Sequence, residues 1–235
     1  MQRNADRILT THVGSLPRPE DLREMLAAMQ HGCDHEPANY EKRCAEAVTD
    51  IVGKQIESGV DIVSDGEMSK ISYVGYVKDR LHGISDQPTS ASQDSASSVL
   101  PTNVSFPDIA EHPDYAEHRA KQAGTFTSGP VCSGPVTYGD DAPLNADIGR
   151  FKAAAEKMAA RNIFMNSASP GVLAMFIPTT HYKDEDAYVA DLAQAMKIEY
   201  EKIHQAGILL QIDCPDLAMS WHMRHWRKTD KEFLK

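Results

Sequence analysis

Five short stretches carry the side chains that could do chemistry. They are Thr10-Thr11-His12-Val13-Gly14-Ser15, Ser64-Asp65-Gly66-Glu67, Ser133-Gly134-Pro135-Val136-Thr137-Tyr138, Asn166-Ser167-Ala168-Ser169-Pro170-Gly171 and Asp213-Cys214-Pro215-Asp216. Each closes a short apolar run, so each marks a point where a buried strand opens into small and polar groups. Hydroxyls and backbone N–H groups freed by glycine are suited to an anion. Carboxylates from separate strand ends are suited to one cation in a partly dry pocket. Taken singly, each feature also has an ordinary reading. A Thr/Ser-rich stretch is a turn, an acid is a solvated side chain or a helix N-cap, and His12 is a hydrogen-bonded histidine. Cys132 is a small core residue.

The elements that must hold these stretches alternate. Residues 41–58 place Cys44, Val48, Ile51, Val52 and Ile56 on one helical face, and Gly59 follows as a stop. Residues 146–160 are alanine-rich and helical. Residues 185–206 carry Tyr188, Leu192, Ala195, Met196, Glu199 and Ile203 at helical spacing, ended by Gly207. Between them lie apolar strands at about 8–13, 60–64, 131–136, 162–166 and 208–213. Helices alternating with continuous apolar strands predict a parallel sheet covered by helices. In such folds the functional groups gather at the carboxyl ends of the strands. All five polar stretches are expected on one face. Residues 85–105, rich in serine and poor in apolar anchors, predict a polar loop insertion.

Bulk properties narrow the function classes. The chain has 235 residues, is 41% apolar and carries a formal net charge of −10. One domain with its own core is expected. The acidic balance argues against a phosphate-tracking surface, so no nucleic-acid partner is expected. No apolar run reaches a membrane span, and the N-terminus lacks a secretory signal, which predicts a cytoplasmic protein with no membrane partner. Four scattered cysteines then predict reduced thiols. The pair His31 and Cys33 does not fill a zinc shell.

The motifs TTHVGSLPRP, GVDIVSDGE, SGPVTY and GILLQIDCPDLAM occur in that order. Together they resemble the catalytic domain of cobalamin-independent methionine synthase and its short single-domain relatives, a superfamily that includes epoxyalkane:coenzyme M transferase. The resemblance implies an α/β fold of the TIM-barrel type, (β/α)8. It implies transfer of a methyl group from a folate-type, 5-methyltetrahydropteroyl donor to a thiol such as homocysteine, with zinc holding the sulfur. By the same resemblance, Val13 and Ser15 belong to the segment that holds the substrate carboxylate, and Glu67 and Asp213 take its ammonium. His12, Thr137 and Ser167 are candidate pocket-lining residues. The expected partner is a small-molecule thiol or amino acid.

The chain departs from the family pattern in three places. Cys214 stands where the family usually has Glu, and Asp65 where it usually has His. The family's zinc ligands lie on its last strands, beginning with an H-x-C pair, and no such strand follows Asp213. Five of eight strands are accounted for. The expectation is therefore a single C-terminally truncated barrel domain over 1–235, with no metal ligands within the chain. It would associate with a complementary C-terminal polypeptide or with itself. Two other readings stay open: a thiol or coenzyme M transferase on the same scaffold, and an inactive homologue that binds a small amino acid.

Overall fold

The computed structural model describes residues 7–30, 36–72, 74–88, 128–220, 229 and 231. In chain order the elements are α1 (Glu20–Gln30), α2 (Pro37–Glu57), a 3-10 turn (Gly75–Asp79), β1 (Leu81–Pro88) and β2 (Ser128–Tyr138). Then follow α3 (Ala142–Lys157), β3 (Phe164–Ala168), α4 (Pro170–Phe176), α5 (Glu185–Gln205), β4 (Leu209–Asp213) and α6 (Asp216–Ser220).

Four segments run parallel. Thr11 bridges Ile62, Val63 bridges Ile163, and β3 pairs with β4 from Phe164 opposite Leu209 to Ala168 opposite Asp213. The segments near 11, 62 and 163 and β4 therefore stand side by side in that order, with helices between them in the chain. That is the winding expected of a helix-covered parallel sheet.

The helices form where the apolar spacing predicts. α2 starts with Pro37 at its first turn, where the missing N–H costs nothing. It buries Cys44, Ala47, Val48, Ile51 and Val52. Gly59, at φ 81°, takes the left-handed conformation that ends the helix. The α2 face packs with Leu22, Val63, Phe151, Met165, Ile203 and Ile208 into one core cluster. A second cluster joins Val77, Leu81, Val136, Val172, Leu173, Leu192 and Met196.

Two expectations need correction. The segment 131–136 lies within β2, which pairs antiparallel with β1, Leu81 opposite Tyr138 and Pro88 opposite Ser128. An apolar run fixes which residues are buried but not which strand is the neighbour. The register shifts between His82 and Ile84, at Gly83, where φ is 84° and an added Cβ would sit 2.5 Å from the Pro135 carbonyl oxygen. Only glycine suits that bulge. Residues 85–88 of the expected polar loop are the end of β1; residues 89–105 lie outside the described residues. No helix among the described residues is long and apolar enough to cross a membrane. Cys44, Cys132 and Cys214 are free thiols; Cys33 lies outside the described residues.

The first parallel segment is pinned by one acid. Asp61 Oδ2 accepts from the Thr10 N–H at 2.8 Å and from the Thr10 hydroxyl at 2.9 Å, and the carboxylate pairs with Arg7. The Arg7 guanidinium and the Thr10 donors hold the Asp61 carboxyl well below the usual range. A depressed folded-state pKa contributes stability that is complete above about pH 4 and is lost as pH falls through the folded value. Asp61→Ala is expected to raise amide exchange at Thr10–Val13 at neutral pH while leaving β3 and β4 protected. Unchanged exchange there would contradict this anchoring.

Candidate functional site

The parallel segments deliver their polar ends to one place. A pocket of about 400 Å³ is walled by Val13, Gly14 and Ser15 after the first segment and by Glu67 after the second. Asp213, Cys214 and Pro215 close it after β4. That volume suits a small ligand. A larger surface groove of about 640 Å³ runs along α2 towards Lys157 and Met158, but it gathers Lys42, Glu46, Asp50 and Lys54 from solvated helix faces and no strand ends.

Glu67 is buried, and both of its carboxylate oxygens are engaged. Ser15 Oγ donates to Oε2 and Asn166 Nδ2 donates to Oε1. Asn166 Nδ2 also donates to Asp213 Oδ2 at 2.8 Å, and Gln211 Nε2 donates to Asp213 Oδ1 at 2.8 Å. The two acids named from sequence are thus joined through one amide. The Glu67 backbone sits at φ 57°, the left-handed region that non-glycine residues seldom occupy. Asp65 supports it: its buried carboxylate accepts from the Glu67 N–H at 3.0 Å. Burial pushes the Asp65 carboxyl up, with Lys70 opposing the shift. Arg18 clasps the same loop, donating to the carbonyls of Glu67 and Lys70 at 2.7 Å each.

The other candidates separate. Val13 is exposed at the pocket wall. Ser15 is present, but its single hydroxyl proton goes to Glu67, so a ligand carboxylate here would depend on backbone N–H groups or displace that bond. His12 is half-buried and does not wall the pocket; its Nε2 is buried without a partner. Thr137 is exposed on the hairpin opposite His82, because β2 belongs to β1 and not to the parallel set. Ser167 is buried on the opposite side of β3 from Asn166, and its hydroxyl donates to Glu199 Oε1 at 2.7 Å. The side-chain alternation of a strand explains the split: adjacent residues point to opposite faces.

Sequence reasoning missed Asn166, Lys70, Arg80 and Asp147. Lys70 Nζ donates to the Asn166 carbonyl at 2.6 Å and lies over the Tyr76 ring. Arg80, 3% exposed, pairs with Glu199 at 2.8 Å and with Asp147. Tyr76 donates its hydroxyl proton to Glu199 Oε1 at 3.0 Å. Burial opposes the Glu199 charge, but Arg80 and Lys70 overcome it and hold the carboxyl below its ordinary range. One signal was available: Glu199 falls on the apolar stripe of α5, where a charge must have a partner.

No three His, Cys, Asp or Glu side chains among the described residues converge to hold a metal ion. Cys214 at the pocket directs its thiol to the Ile212 carbonyl at 3.6 Å. Zinc needs three or four such ligands, so the described donors do not fit it.

Residues 8–172 match the family model for the cobalamin-independent synthase catalytic domain. The methionine synthase of Sulfolobus acidocaldarius is 23% identical over 225 residues, 95% of this chain and 54% of that one. A 5-methyltetrahydropteroyltriglutamate–homocysteine methyltransferase of Mycolicibacterium paratuberculosis is 28% identical over 145 residues, 57% of this chain and 19% of that one. Among solved structures, a B12-independent methionine synthase from Shewanella sp. W3-18-1, in complex with selenomethionine, superposes with a TM-score of 0.58 at 18% identity. It covers 94% of this chain and 58% of that one. The chain spans about half the length of these two methionine synthases and about a fifth of the mycobacterial methyltransferase, and its fold is of the TIM-barrel type. With the ends of three parallel segments walling one pocket and the family match running across two of them, the chain belongs to the family of cobalamin-independent synthase catalytic domains.

Proposed function

We propose that this chain serves methyl transfer from a 5-methyltetrahydropteroyl donor to the sulfur of homocysteine, and that its strand-end pocket holds the amino-acid portion of that thiol. The observation that carries the reading is the paired placement of Glu67 and Asp213 at one small pocket, each with acceptor capacity left after its internal hydrogen bonds. A carboxylate oxygen accepts more than one hydrogen bond, so two acids can share the N–H groups of one ammonium. In the net reaction the S–CH3 bond forms and the N–CH3 bond breaks. The thiol proton leaves sulfur, and the donor nitrogen gains a proton. A thiol at neutral pH is mostly protonated, and only its thiolate attacks well. The described donors do not fit a zinc ion that would supply that activation. The described residues account for capture and orientation of the amino acid, not for activation of its sulfur.

The test is a calorimetric titration of the purified chain with L-homocysteine and L-methionine. Saturable binding of both is expected, because the proposed contacts lie at the shared amino-acid end. Absence of heat and of any thermal-shift response with either ligand would overturn the reading.

A further inference from the structure

The two acids of the pocket stand on strands that do not touch. β3 lies between the segment at 60–64 and β4, pairing with both. Adjacent strands are about 4.8 Å apart, so the outer two are separated by twice that spacing. Only a side chain from the middle strand can bond to both. Asn166 is that side chain. Its amide nitrogen has two N–H groups, and one goes to each carboxylate, Glu67 and Asp213. The neighbouring groups are acceptors, which fixes the NH2 end of the amide towards them. The residue is 3% exposed, and its backbone carbonyl accepts from Lys70 Nζ at 2.6 Å, so burial confines the amide and Lys70 fixes the strand backbone that carries it. Ser15 and Gln211 occupy the far oxygens of the two acids. The carboxylates are thereby held near one another against their mutual repulsion, each with lone pairs left towards the pocket.

We infer that Asn166 is a positioning residue that sets the spacing of Glu67 and Asp213, and that this spacing makes the pocket select ligands bearing a free ammonium group. The inference rests on the reading of the pocket as an amino-acid site. Asn166 acts through the two acids and does not itself hold the ligand. An amide is suited to this place because it donates twice without adding charge. A Lys there would neutralise the acids and compete with the ligand ammonium.

The experiment compares L-homocysteine with 4-sulfanylbutanoate, the same molecule without its amino group, by calorimetry on the wild-type chain, Asn166→Ala and Asn166→Leu. The leucine variant keeps the branched shape of the side chain without its polar atoms, and circular dichroism identifies the variants that fold. The wild type is expected to prefer homocysteine. In a folded variant the preference should fall about tenfold or more, as for loss of hydrogen bonds to charged groups, while the affinity for 4-sulfanylbutanoate stays within about twofold. A purely structural role would weaken both ligands together and leave their ratio unchanged. A wild-type preference retained in the variants, or a parallel loss of both ligands, overturns the inference and leaves the amino-acid reading standing. A wild type that binds neither ligand, or binds them equally, overturns that reading and the inference with it.

Discussion

Replacing Arg80 with Met is expected to destabilise the chain by about 3–5 kcal/mol, the cost of leaving a buried charge without its partner. Arg80 neutralises two acids at once, Glu199 at 2.8 Å and Asp147, all three nearly inaccessible to water. Asp147 would keep Arg150. Glu199 would keep the hydroxyls of Ser167 and Tyr76 but lose the cation bonded to its second oxygen. Exposed pairs such as Lys54 with Asp50 contribute about 1 kcal/mol or less, so the buried triad outweighs them.

The pH dependence gives the same substitution a second signature. In the wild type the Glu199 carboxyl is held below its ordinary value. Its contribution to stability is therefore complete above about pH 4.3, the unfolded value, and is lost as pH falls through the folded one. Without Arg80, the largest opposing charge is gone and burial dominates, which raises the folded-state pKa instead. The sign reverses: Arg80→Met should gain stability as pH drops from 7 towards 5, while the wild type stays level on this account. Urea denaturation at pH 7 and pH 5 measures both. Equal losses at the two pH values would show that Glu199 is not the charge left stranded.

The second large effect concerns the ligand. Glu67→Gln should weaken binding of L-homocysteine by about 10- to 100-fold, because a hydrogen bond to a charged group is worth about 1.5–3 kcal/mol. The loss has two sources. The charge opposite the ammonium disappears, and the new amide has one acceptor oxygen where the carboxylate had two. Asp65, Arg18 and the loop backbone remain, so the fold should persist. Calorimetry checks the affinity and circular dichroism the fold. Undiminished binding by a folded variant would remove Glu67 from the site.

How much of this was legible beforehand depended on whether the signal was local. The α2 stripe of Cys44, Val48, Ile51 and Val52 and the runs ending in Glu67 and Asp213 are local patterns, and they mark a helix, the bridged segment at Ile62 and Val63, and the end of β4 where the structure has them. β1 was not legible. Leu81–Pro88 has few apolar residues and runs into a polar stretch, and its strand character comes from pairing with a segment forty residues away. The same non-local pairing moved Thr137 from the expected pocket to the hairpin. Asn166 was hidden by its neighbours: within Asn-Ser-Ala-Ser only the register of β3 decides which polar residue faces the pocket. Ser167 was selected where Asn166 is the residue that reaches the acids.

The left-handed backbone at Glu67 sets two selective pressures against each other. A glutamate at φ 57° costs about 1 kcal/mol or more relative to a residue at ease there. Glycine would remove that cost, as would asparagine in part, and both would delete the carboxylate. A library of variants sorted only for abundance or heat resistance would therefore drift away from the acid at this position. Sorted for ligand retention, it would keep the acid and collect its compensating substitutions elsewhere, in the cores beneath α2 and α5. Position 67 is thus a place where consensus by stability and consensus by use should disagree, and the direction of drift in such a library reports which of the two the protein was being asked to satisfy.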